Sequence, residues 1–467
     1  MNGTKNSFLN RQPDVFDFFA DFIIGLNTGV FLGKSREKKL PETKPFKGII
    51  YNVRKIKTLS AVIAPPYDVI SHAMQEKLYR SSPYNVVRLI LGKIRKNDDK
   101  NDSRYTRAKK FFSSWLKKRI MVEDNRESMY VYSQIYKTNS NIIERIGFIA
   151  LMAIDMREGD NRVLAHENTL QAPKLDRLEL MRAVRANLSP IFVLYDDKKH
   201  KILQILKSIA SRNKPFIDID FDNVKHRVWR LDDKRAIKRI EEIMVSKDIF
   251  IADGHHRYEV ACTYAREIQR ENVPDRLKQS SGYIMAYFVE SESQILTILP
   301  AHRLIKDADA LKNNDVIERL KKFFYIEKVS GPGPLISKLH GYVKSHRFGM
   351  YLGKGAFYIL RLKTPRHSDR VIKDSSRQWK RLDVSILHFF IFQHLLKIRD
   401  DDDNIEFFNN PKDAASAVDN GKYRMAFFLN PTKVTQVKQI AKLGERMPRK
   451  ATYFYPKPLS GLVVNKH

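Results

Sequence analysis

The residues best suited to chemistry gather in Asp248–Arg270, DIFIADGHHRYEVACTYAREIQR. Asp253, Gly254, His255, His256 and Arg257 follow directly on an apolar run, Ile249-Phe250-Ile251-Ala252. A helix start leaves backbone N–H groups unpartnered and carries the positive end of the helix dipole, so it suits an anion. A guanidinium beside it matches phosphate oxygens with a planar fork, and two imidazoles can donate to the same group. The cluster reads first as a phosphate site. The same residue types also serve a plain helix start, with Asp253 as cap, Gly254 as turn and solvated histidines. A divalent ion could touch Asp253, His255 and His256. Adjacent histidines at a helix start converge poorly on one metal, however, and the sequence places no third ligand.

Further polar clusters follow predicted strands. Arg162–Thr169 ends in His166, Glu167, Asn168 and Thr169. Pro65 and Pro66 fix an extended backbone that holds Tyr67 and Asp68 on a rigid loop. His302 and Arg303 set an imidazole and a guanidinium at another strand end, and the tail supplies Lys450, Thr452 and Lys457. Phosphoryl transfer, which the similarity of the DGHHR turn to that of free-serine kinases implies, needs donors around the moving group and a base near the acceptor hydroxyl. The Gly254–Arg257 turn meets the first need, with His302, Arg303, Lys450 and Lys457 as further phosphate-binding candidates. Glu167 is the first candidate base and Asp68 the second, with His166 orienting Glu167 or binding phosphate. Mg²⁺ would bridge the donor phosphates and take few protein ligands, through Asp253 or Asp68 directly or by water.

The elements that must position these groups are legible in part. Ile249–Ala252 is a buried strand by its β-branched and aromatic content. Tyr258, Ala261, Cys262, Ala265 and Ile268 recur at helical spacing after the Gly254 break. Ser71 caps a helix over His72–Arg80. Asn85–Leu91 and Thr297–Leu304 read as strands, Ser330–Pro334 as a turn at a subdomain edge, and Leu382–Leu396 as a buried helix. Helices and strands mix irregularly, which predicts an α+β (mixed α/β) fold, and no repeat of solenoid length occurs. Residues 1–45 read as an N-terminal extension, either an interaction segment or a poorly ordered one. Residues 46–330 read as an α+β core domain holding the DGHHR site. Residues 331–467 read as a C-terminal α+β subdomain packing onto that core.

Composition sets outer bounds. The 467 residues, 43% hydrophobic, are enough for two or three cores. Lys and Arg number 85 against 53 Asp and Glu, a formal charge of +32, which favours anionic partners. The charge is scattered, without an arginine-rich arm or zinc-finger spacing, so nucleic acid is a permitted but disfavoured partner. The single cysteine, Cys262, excludes an intramolecular disulfide and a cysteine-based metal site. No signal-peptide pattern opens the chain and no apolar run reaches spanning length, so a soluble cytoplasmic protein with no membrane partner is expected.

The ordered blocks APPYDVIS, HENT, ANLSPIFVLY, ADGHHRYEVA, LPAHRL, LDVSILH, MPRKATYFYPK and SGLVV resemble the family catalogued as domain of unknown function 1015, from about Phe46 to Val464. The DGHHR turn is also similar to the phosphate-binding turn of the ParB/sulfiredoxin superfamily, whose free-serine kinases carry a very similar Asp-Gly-His-His-Arg. This resemblance implies a ParB/sulfiredoxin-like strand–turn–helix within a larger mixed-sheet protein. It also implies a small-molecule kinase, with ATP, ADP or pyrophosphate as donor and a small hydroxylated acceptor, free L-serine leading. A nucleotide- or nucleic-acid-binding protein of ParB type and a phosphohydrolase are the alternatives. His255 stands where sulfiredoxins carry their catalytic cysteine, which argues against that chemistry. Arg449-Lys450-Ala451-Thr452 replaces the family's usual Gln-Lys-Ser-Thr, so the serine hydroxyl is lost here.

Overall fold

The computed structural model of the chain describes residues 42–138, 141–154, 162–292, 295–306, 311–340, 345–401 and 404–467; most of the expected N-terminal extension lies outside them. Apolar and aromatic runs build a nine-stranded mixed sheet. Its order is Val163–Leu164, Ile249–Asp253, Ile191–Tyr195, Tyr283–Glu290, Ile142–Ala153, Met129–Lys137, Val224–Leu231, Ile217–Phe221, with Thr43–Lys44 pairing beside Ile142–Ala153. Ile249–Asp253 runs parallel to Val163–Leu164 and antiparallel to Ile191–Tyr195. Ile191–Tyr195 in turn runs parallel to Tyr283–Glu290. The strand that carries the DGHHR turn therefore lies next to the strand that leads into His166 and Glu167.

Both faces of this sheet are buried, and the side-chain alternation divides them. Ile249, Ile251, Val193 and Phe288 face one layer, formed by the helices Lys201–Arg212, Lys234–Met244 and His255–Arg270. Phe250, Phe192, Leu194 and Tyr287 face the other way, onto Phe454, Leu462 and Val463 of the C-terminal tail. The same core cluster extends into a second, six-stranded antiparallel sheet. Its order is Phe324–Val329, Phe357–Leu362, Arg347–Tyr351, Met425–Phe428, His302–Ile305, Ile405–Phe408. The fold is mixed α+β, and a strand–turn–helix lies within a larger mixed-sheet protein.

The tail after this second sheet returns to the first half of the chain. Tyr453–Tyr455 pairs with Thr297–Leu299, Asn465–Lys466 pairs with Ala186–Asn187, and Ser460 bridges Ala64. This return brings Lys450 and Lys457 to the DGHHR turn.

Three local expectations need correction. Asn85–Leu91 is not a strand: Val87–Ile90 is helical. The Asn85 side chain accepts the Val87 N–H at 2.9 Å and donates to the carbonyls of Ala61 and Ile63 at 2.8 and 3.0 Å, a local hydrogen-bond set that outweighs the β-propensity of Val86 and Val87. Thr297–Leu304 splits at Pro300 into Thr297–Leu299 and His302–Ile305, which join different sheets. Within Ser330–Pro334, Pro332 opens the helix Pro332–His340, a position where its missing N–H is no loss.

Candidate active site

Gly254 turns the chain from strand to helix at φ 93°, ψ 28°, in the left-handed region. A Cβ there would lie 2.9 Å from Ile191 Cγ2 and 3.0 Å from Arg257 Nη2, so both backbone and space require glycine. The helix His255–Arg270 carries no side-chain cap at its start. A helix start leaves its first N–H groups without intrahelical partners, and Gly254, His255, His256 and Arg257 all line the same cavity.

The two imidazoles do a different job from the expected joint donation to phosphate. The His166 N–H donates to His255 Nε2 at 3.4 Å, and the Leu170 N–H donates to His256 Nε2 at 3.0 Å. The DGHHR histidines thus hold the backbone of the HENT segment. Burial pushes the His255 imidazole well below its usual range, with His166 and Arg446 adding to the effect, and burial also lowers His256. An Nε2 that accepts from a backbone N–H carries no proton, as in the neutral ring. With Nε2 accepting, the proton sits on Nδ1. His255 Nδ1–H then faces Glu167 Oε2 at 3.7 Å.

Glu167 also receives the Lys450 N–H on Oε1 at 3.4 Å. Burial raises its carboxyl above the ordinary value, with Lys450 opposing. A carboxylate lifted in this way is better matched to taking a proton near neutral pH. His166 is buried, pushed down to about 4 by that burial, and packs edge-on to His255 with ring centroids 4.6 Å apart. Its Nε2 meets Thr452 Oγ1 at 3.0 Å. His166 therefore supports the segment and its ring does not point into the cavity.

Asp253 is the electrostatic hub. Its Oδ2 accepts from Arg257 Nη2 at 2.7 Å, and its Oδ1 accepts from Lys457 Nζ. Burial alone would raise its carboxyl, but Lys457 and Arg257 overcome this and hold it below the usual range. Lys457 Nζ also donates to Asp68 Oδ2 at 2.5 Å. Burial works against the Lys457 charge, and the two carboxylates more than offset it, so its ammonium is held above the usual lysine range. Arg257 is partly committed as well, since its Nη1 donates to the Pro190 carbonyl.

These groups line one cavity of about 540 Å³, with Asp68, Glu167, the Asp253–Arg257 turn, Lys450 and Lys457 on its wall. Glu406 and Phe407 from the edge strand of the second sheet and Asn409 just after it also line the cavity, together with Arg449 and Tyr453 from the tail. Sequence reasoning missed these five. The edge-strand residues carry no motif, and only the fold brings that strand to the turn. His302 and Arg303 do not line the cavity, which corrects their placement among the phosphate ligands. His302 packs on Phe428 with centroids 5.0 Å apart, and Arg303 is 1% exposed with its donors directed to His388 and to backbone carbonyls.

A family model described as protein of unknown function (DUF1015) matches residues 43–385. The chain belongs to this family. No curated protein matches this DUF1015 chain. Among solved structures it is similar to a mutant of a free serine kinase in complex with AMP, at 13% identity and a TM-score of 0.31, covering 63% of this chain and 83% of that one. It is also similar to a conserved hypothetical protein from Pyrococcus furiosus, at 12% identity and a TM-score of 0.31, covering 64% and 89%. SbnI with a C-terminal truncation, from Staphylococcus aureus, matches at 9% identity and a TM-score of 0.31, covering 67% and 85%. Among the described residues of the DUF1015 chain, no helix is long and apolar enough to cross a membrane.

Proposed function

We propose that this protein is a small-molecule phosphotransferase that moves a phosphoryl group from a nucleotide or pyrophosphate to a hydroxylated metabolite, free L-serine being the leading acceptor. One observation carries the reading: a carboxylate raised by burial, Glu167, shares a cavity with an uncapped helix start and two tail lysines. The first-turn N–H groups, with the Lys450 and Lys457 ammonium groups, suit the negative charge of a transferring phosphoryl group. The acceptor hydroxyl oxygen attacks the terminal phosphorus, and its bond to the bridging oxygen of the donor breaks. The hydroxyl proton goes to Glu167, and the shortened nucleotide or phosphate leaves. Neutral His255 holds its Nδ1–H toward the Glu167 carboxylate throughout.

Mg²⁺ belongs to this proposal only as an ion carried in on the donor phosphates, which would supply extra positive charge there. A protein-held ion does not fit. Among the described residues no three His, Cys, Asp or Glu side chains group to hold a metal. Both oxygens of Asp253 and one of Asp68 are engaged by Arg257 and Lys457. No step above runs through a metal.

The test is phosphoryl transfer from ATP, ADP and pyrophosphate to free serine, comparing wild type with Arg257→Ala. Phosphoserine formed by wild type alone supports the proposal. Donor consumption without a phosphorylated acceptor would favour a phosphohydrolase. No turnover and no donor binding would sink both.

A further inference from the structure

The LPAHRL block touches the cavity only through Ala301, and its Arg303 meets the LDVSILH block deeper in the fold. Arg303, on His302–Ile305, directs Nε–H to His388 Nε2 at 3.0 Å. His388 sits in the π-helical segment Ile386–Leu396 and is 2% exposed. Its Nδ1–H donates to Asp400 Oδ2 at 2.8 Å. At the other end, Arg303 Nη2 reaches the carbonyls of Arg449 and Lys450 at 3.4 and 3.2 Å, and Nη1 takes the Ala301 carbonyl.

The geometry of one peptide unit links this network to the site. The Arg449 carbonyl and the Lys450 N–H belong to the same planar trans peptide and point in opposite directions. Arg303 draws the carbonyl one way, so the N–H points the other way, to Glu167 Oε1 at 3.4 Å. Lys450 holds φ at 53°, the left-handed region that a side chain disfavours, and such a conformation persists only where its surroundings fix it. A guanidinium buried among carbonyls and a neutral ring, with its nearest carboxylate one imidazole away, is an expensive way to gain stability alone. We propose that Arg303, backed by His388 and Asp400, is a positioning residue for Glu167, fixing the Arg449–Lys450 peptide so that its N–H meets the carboxylate.

This rests on the reading of Glu167 as the base, and its test stays separate from donor chemistry. The full chain, labelled with ¹³C at glutamate carboxyls, gives the Glu167 titration by NMR, with Glu167→Gln assigning the resonance. Glu167 faces His255 and Lys450, with Asp253 and Lys457 acting at longer range. Arg303→Lys keeps the charge and removes the fork. Losing the N–H bond should raise the Glu167 midpoint by about half a unit to one unit. Pyrophosphate affinity, read by calorimetry, should fall by no more than about fivefold, because the DGHHR turn and Lys457 are untouched and only the Lys450 ammonium shifts with its peptide. Asp400→Asn leaves the fork in place and should give a smaller rise in the same direction; it decides the matter if Arg303→Lys does not fold. An unmoved Glu167 midpoint in the folded variants overturns the proposal, as does a loss of pyrophosphate affinity greater than about tenfold. If wild type does not bind pyrophosphate at all, the donor reading fails while the Glu167 titration still decides this one.

Discussion

Lys457 Nζ lies 2.5 Å from Asp68 Oδ2 across 389 positions of sequence, and the same ammonium meets Asp253 Oδ1. One side chain from the tail therefore ties the Pro-Pro loop to the DGHHR turn. Side-chain exposures of 10% for Lys457 and 14% for Asp253 place the pair out of bulk water, where partners matter most. Replacing Lys457 with Met would leave the little-exposed Asp253 carboxylate with Arg257 as its remaining partner and the more exposed Asp68 carboxylate beside it. The expected loss is about 1–2 kcal/mol of stability, read by chemical denaturation, together with loss of pyrophosphate binding. Unchanged stability would show that the clamp is dispensable to the fold.

Gly254→Ala tests the turn itself. The left-handed backbone alone costs an alanine about 1–2 kcal/mol. The added methyl also meets Ile191 and the Arg257 guanidinium. The variant should melt several degrees lower and bind pyrophosphate at least tenfold more weakly, since the helix start moves with the turn. Tight binding in a destabilised variant would place the anion elsewhere.

Acid sensitivity should come from histidine before it comes from the salt bridges. Burial holds His166 at about 4, and His226 and His302 at about 3, against an ordinary 6.5. Below pH 6.5 the unfolded chain takes up protons that the folded chain cannot, so stability falls as pH drops from 6.5 toward 4. Asp253, with its depressed carboxyl, adds stability that is lost only further down, as pH falls through its folded value. Melting temperature measured between pH 8 and 5 should be flat above about 7 and decline steadily below 6.5. A flat profile down to pH 5 would mean these imidazoles are accessible to protons in the fold.

Local pattern exposed the turn but not its wiring. Ile249–Asp253 and His255–Arg270 form as the apolar spacing and the glycine break predict. The roles of the polar residues depend on partners far away in sequence. His255 and His256 accept from the HENT backbone, and Asp253 is claimed by Lys457, which no window around position 253 contains. His302 and Arg303 show the opposite error. Their types suggest a ligand-binding strand end, but that strand lies inside the second sheet, and burial turns Arg303 toward carbonyls. Glu406, Phe407 and Asn409 reach the cavity only because the second sheet shares a core with the first.

Glu167→Gln separates catalysis from architecture most cleanly. Glutamine keeps the shape and can still accept the Lys450 N–H, but it cannot take a proton. Turnover should fall by about 10²–10⁴-fold, the contribution of a general base, while pyrophosphate affinity stays near wild type. The stability change has a definite sign. The Glu167 carboxyl is raised in the fold, so its contribution is present below the unfolded value and lost as pH rises through the folded one. Near neutral pH the raised carboxyl works against folding, and Glu167→Gln should be as stable as wild type or more so, read by thermal melting. That combination, a dead enzyme with an intact or firmer fold, is expected where a charge is kept for chemistry. A variant that loses stability and donor binding together would make Glu167 a structural partner of His255, and the base would have to be sought at Asp68.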